Sequence, residues 1–153
     1  YTENDKWFRY LRDQVLGAAK YEQLMLDLMA SKGFAPSEII KDLWMSEDEL
    51  KAISKQGHLV GLHSYSHPTQ MSKLSYQEQH QQYKKNLEHL NAVVGEVICM
   101  SHPCGDYNDD TLKILDEMGI RIGFRSSLSE TTIKGKFEIP RDDHANIYKA
   151  MQL

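Results

Sequence analysis

The sequence predicts an α/β fold with parallel strands, and three observations lead to it. Short apolar runs at 58–63, 97–100 and 120–124 alternate with amphipathic stretches of helix length. A glycine (Gly57, Gly95, Gly119) ends the helix ahead of each run. The first two runs lead straight into turns rich in His, Ser, Pro and Gly, at the strand ends where α/β folds place their chemistry.

The elements follow in order. Residues 4–30 put Trp7, Leu11, Val15, Tyr21, Leu24 and Leu28 at helical spacing, with a stop near Gly33. Pro36 and Ser37 open a short helix. Ser46 and Glu49 have capping-box spacing, so a helix starts there and Gly57 closes it. Strand 58–63 comes next. Ser75 and Glu78 repeat the capping box and open a long helix to Val94, with Leu87, Leu90, Val93 and Val94 as its core stripe. Strand 97–100, helix 109–118, strand 120–124 and a short strand 137–139 before Pro140 complete the alternation, and 145–151 is a terminal helix. The Ser- and Thr-rich stretch 126–136 reads as the mobile loop.

At 153 residues the chain is read as one domain, short for a complete α/β barrel of about 200 residues or more. Its net charge of −4 argues against nucleic acid or an anionic membrane as partner. Lys84 and Lys85 form only a solvated helix face. No apolar run approaches the roughly 20 residues of a membrane span, and the polar stretch Tyr1 to Lys6 is no signal peptide. Two cysteines make no disulfide framework.

His63 and His67 carry the sharpest chemical signal. His63 ends a strand and His67 lies four residues on, so two neutral rings can each offer a lone pair to one divalent ion. Pro68 stiffens the exit. Surface or core histidines are the competing explanation. Ser101 to Asn108 is the second feature: Pro103 and Gly105 fix a tight turn after a strand, and Asn108 caps the next helix. Outward amides in that turn would form an oxyanion hole, while the plain reading is a strand-to-helix turn. The third is Arg141, Asp142, Asp143 and His144, after the last short strand. Either aspartate would serve as a further metal ligand or, more simply, cap the terminal helix. His58, His80 and His89 read as surface or packing residues, and Cys99 as a small apolar strand residue. Cys99, His102 and Cys104 lack zinc-knuckle geometry, though His102 suits a supporting role beside a metal.

The stretch from Leu43 to Pro68, with a helix ending in Gln56, Gly57 and His58 and then a strand and turn, resembles the polysaccharide deacetylase (NodB-homology, carbohydrate esterase family 4) domain. His63, Ser64, His67 and Pro68 match that family's H-[ST]-x-x-H-P motif at every defined position, and Pro103, Gly105 and Tyr107 match its R-x-P-x-G-plus-aromatic motif in part. The likeness runs from about residue 43 to 125, leaving 1–42 as a helical elaboration, expected to cover the sugar-binding cleft, ahead of a core at 43–145.

The resemblance implies a distorted, incomplete (β/α) barrel that removes acetyl groups from N-acetylated sugars or polysaccharides. It implies a divalent metal, zinc foremost, with cobalt, nickel and manganese also suited, on His63 and His67. Ser64 and Pro68 would brace the turn, the Cys104 amide would hold the oxyanion, and Pro103, Gly105 and Tyr107 would face substrate. His144 would be the general acid. Ser101 stands where the family has an arginine, and Arg141 would be the replacement cation. The T-F-D-D-G motif, source of the base and third ligand, is not found; the expectation is that an N-terminal segment carrying it lies outside this chain. A sheet lacking those strands would expose apolar edges and favour pairing with a second copy. Two other functions remain open: a non-catalytic carbohydrate-binding relative, and another metal hydrolase with Asp142 or Asp143 as third ligand. Few cysteines suggest the cytoplasm, whereas the family is often exported.

Overall fold

A parallel sheet organises the larger part of the chain. The structure, a computed structural model, describes residues 2–152. The chain divides into two compact units, Tyr1–Ser46 and Glu47–Leu153.

The first unit is helical: α1 (Glu3–Tyr10), a widened π-helical turn (Leu11–Leu16), α2 (Ala18–Ser31) and α3 (Pro36–Leu43). Thr2 starts α1 through a capping box with Asp5: its hydroxyl accepts the Asp5 amide and the Asp5 carboxylate accepts the Thr2 amide. The single helix expected over 4–30 is broken at Gly17, whose φ of 72° and ψ of 166° lie outside any helix. Glycine reaches that conformation without a Cβ penalty, and helical periodicity alone does not reveal the stop. Pro36 at the first turn of α3 fits its fixed φ.

The second unit holds α4 (Glu47–Lys55), α5 (Tyr76–Val94), β1 (Cys99–Ser101), α6 (Asp109–Glu117), β2 (Ile122–Phe124) and α7 (His144–Met151), with single 3-10 turns at Met71–Lys73 and Pro103–Gly105. The Ser75–Glu78 capping box opens α5 as its sequence demands. β1 and β2 pair in parallel, with Met100 opposite Gly123. Leu62 bridges Met100 on one side and Ile139 bridges Phe124 on the other, both parallel. The order across the sheet therefore follows the chain: Leu62, β1, β2, Ile139. Helix α5 lies in the first connection and α6 in the second, the sequential winding of a (β/α) barrel.

The strands are shorter than expected. Run 58–63 pairs only at Leu62, which donates to the Cys99 carbonyl and accepts from the Ser101 amide, both at 2.9 Å. Run 137–139 contributes one bridge, and the other two strands start two residues later than their apolar runs. A ladder extends only where a neighbour continues, and β1 offers three residues. Val97 instead donates to the Asn91 side chain beyond the end of α5. Strand and helix faces meet in a core of Leu62, Met71, Tyr83, Leu90, Met100, Ile114, Leu115, Ile120 and Phe137. Gly61 and Gly123 let backbones approach: a Cβ on Gly61 would stand 2.8 Å from Cys99 Sγ and 2.9 Å from Cys99 O.

Candidate active site

Three segments leave the C-terminal edge of the sheet together: His63 after Leu62, Ser101 to Gly105 after β1, and Arg141 after Ile139. Between them lies an open cavity of about 330 Å³ lined by Leu59, Leu62, His63, Ser101, Phe124 and Arg141 among others. The sequence placed these motifs at strand ends, and they converge there.

His63 is half-buried and its Nδ1 lies 2.8 Å from the Ser101 carbonyl and 3.2 Å from the Ser101 hydroxyl. A ring N–H donating to that carbonyl puts the proton on Nδ1 and the lone pair on Nε2, the tautomer a metal-binding histidine uses. Burial is the main force lowering the His63 pKa; the Ser101 carbonyl opposes it, and His67 and Arg141 add to it. The ring is thus held neutral and able to donate electrons. His67 stands beside it, with ring centroids 4.8 Å apart and planes at 61°. Among the described residues no group of three or more His, Cys, Asp or Glu is placed to hold a metal ion.

The loop between them has an unusual backbone. Ser64 and His67 both have positive φ, 65° and 53°, in residues that carry side chains. Ser64 is buried and its Oγ accepts the His67 amide at 3.1 Å. The 3-10 turn at Pro103–Gly105 turns the Gly105 and Asp106 amides back onto the His102 and Pro103 carbonyls. Cys104, exposed and at φ 53°, is the apex of that turn.

Tyr107 stacks on buried His102, centroids 4.1 Å apart, and donates to Glu138 at 2.9 Å. Burial and that carboxylate push its pKa up to about 12. His102 Nε2 meets the Phe137 carbonyl at 2.9 Å, so His102 fastens the turn to the next strand segment. Asp143 caps α7 by accepting the Ala145 amide, and Asp142 accepts the Asp143 amide and the Asn146 side chain. These are the bonds of a capped helix start. His144, first residue of α7, is 96% exposed and pairs with Asp143 at 2.7 Å, away from the cavity lining. Cys99 packs in β1, buried.

Sequence reasoning missed four neighbours of the site. Asn86 and Gln82 on α5 bond to the His63–His67 loop. Glu138 receives Tyr107. Arg125 ties down the loop expected to be mobile, through Glu130 and the Thr132 carbonyl. The available signal was Asn86, a polar residue within the stripe Gln79, Tyr83, Leu90 and Val93 that α5 buries.

A polysaccharide deacetylase family model matches residues 19–123, and the chain belongs to that family. The match takes in α2 and α3, which carry none of the motifs quoted above. Among solved structures the chain is similar to the deacetylase PplD of Streptococcus pyogenes in complex with acetate, at TM-score 0.61 and 16% identity, over 99% of this chain and 77% of that one. It is also similar to the BpsB deacetylase domain of Bordetella bronchiseptica, at TM-score 0.57 and 18% identity, over 66% of this chain and 49% of that one. At such identities the likeness is one of fold. No curated protein sequence matches. Among the described residues no helix is long and apolar enough to cross a membrane.

Proposed function

We propose that the chain carries the histidine pair of a metal-dependent deacetylase acting on an N-acetylated sugar or polysaccharide. The observation that carries the reading is the His63–Ser101 contact, which leaves Nε2 of a neutral ring free to coordinate, 4.8 Å between ring centroids from His67. A divalent ion on these rings would polarise an acetyl carbonyl and lower the pKa of a bound water. The Cys104 amide, at the exposed apex of the turn after β1, would be the donor to the oxygen where negative charge develops. Arg141 lines the same cavity and adds positive charge where the substrate carbonyl would lie. Zinc suits the imidazole donors best, with cobalt, nickel and manganese as alternatives.

Acetate release from an N-acetylglucosamine oligomer, measured with added zinc or cobalt, tests this. The reading expects release that His63→Ala reduces at least about 100-fold, the scale of losing a metal ligand or its support. A second reading, a carbohydrate-binding relative without turnover, is favoured by Ser101, which faces His63 where the family motif has arginine. Oligomer binding with no acetate released would decide for it.

A further inference from the structure

We infer that Gln82 and Asn86 are positioning residues that fix the backbone of the His63–His67 loop and thereby set the spacing of its two imidazoles. The inference rests on the metal-site reading above and deepens it. The His63 amide donates to Asn86 Oδ1 at 3.0 Å. The Ser66 amide donates to Gln82 Oε1 at 2.9 Å, and Gln82 Nε2 returns a bond to Ser66 Oγ at 2.9 Å. The two helix residues are four apart, one above the other on a single face of α5. One grips the first histidine itself and the other the residue just before the second.

The loop requires such grips. Left-handed backbone at a residue with a side chain is strained and persists only where its surroundings hold it. Ser64 and His67 both adopt it. The Ser64–His67 bond is internal to the loop, so it can keep the turn closed but cannot fix where the turn sits. Gln82 and Asn86 supply that fixed reference, because α5 is anchored by fully buried Gln79 and Tyr83 and by Leu90. Lys85, also on α5, lies over the Tyr65 ring of the loop, 5.3 Å from its centroid. Without the two amide-side acceptors, the His63 and Ser66 N–H groups lose their partners and the backbone can relax toward ordinary φ. The rings then separate.

Both backbone amides are accepted by a side-chain amide oxygen, so Asn86→Asp and Gln82→Glu keep that acceptor. In Gln82→Glu the Ser66 hydroxyl turns to donate to the introduced carboxylate in place of receiving Gln82 Nε2. Alanine removes the acceptor and leaves a good helix former in α5. The measurement is zinc affinity by chelator competition, together with amide hydrogen exchange at His63 and Ser66 without metal. Asn86→Ala and Gln82→Ala are expected to weaken zinc binding about 10–100-fold, the usual effect of losing a supporting residue, and to speed exchange at the amide each one holds. Asn86→Asp and Gln82→Glu restore both, and Lys84→Ala on the solvated face of α5 changes neither. Wild-type zinc binding with alanine variants of equal affinity and unchanged exchange overturns the inference alone. Acidic variants that fail to rescue also overturn it. A wild-type chain that binds no zinc overturns the metal-site reading itself, and slow exchange at His63 and Ser66 lost in the alanine variants would still show the clamp.

Discussion

At the scale of single residues, His63 and His102 are both held neutral, chiefly by burial. For each, a backbone carbonyl (Ser101 or Phe137) favours the protonated ring and burial outweighs it. Because the folded pKa lies below the ordinary imidazole value of 6.5, the unfolded chain binds more protons as pH falls. Stability is therefore full above that value and is lost on acidification through it. The urea midpoint is expected to stay level at neutral pH and to fall as the pH drops below the ordinary imidazole value. His102→Phe keeps a ring on Tyr107 and should flatten that fall; an unaltered slope would show that His102 does not contribute. The histidine pair was legible because its spacing and its place after a strand lie within six residues. Ser101 as the partner of His63 was not, since the contact joins residues 38 apart in sequence. Asn86 was legible only as an anomaly, a polar side chain within a buried stripe.

At the scale of elements, the helices were readable and the strands only partly so. Capping boxes at Ser75 and Asn108 start α5 and α6 through local bonds, which local sequence encodes. Strand length depends on a neighbour supplied from elsewhere in the chain. The six-residue run 58–63 meets a three-residue β1, so one residue pairs and Leu59 remains 74% exposed. Gly61 shows how close that meeting is. Gly61→Ala would push a Cβ into Cys99, and overpacking of this kind costs roughly 1–3 kcal/mol. Chemical denaturation should show that loss, and because Gly61 lines the cavity beside His63, zinc affinity should fall with it. An alanine variant as stable as wild type would mean that the segments separate at no cost. Gly17 is the opposite lesson: helical periodicity ran through a residue whose positive φ ends the helix.

At the scale of the whole molecule, sheet order is what turns scattered motifs into a site. Leu62, β1, β2 and Ile139 lie side by side in chain order and all point the same way, so every segment leaving them emerges at one edge. His63, Ser101 and Arg141 come together from that geometry, although the first and the last are 78 positions apart. Alternating helices and apolar runs announced the parallel sheet. The pairing of Asp142 and Asp143 with the start of α7 was weighed against metal ligation in the sequence, and in the structure both carboxylates accept bonds at that helix start. The account thus rests on the histidine pair as its metal donors. Its most direct test is a zinc titration of the chain beside the His63→Ala/His67→Ala double variant. The account predicts stoichiometric binding by the wild-type chain that the double variant abolishes. Binding that survives in the double variant, or none by either protein, would contradict it.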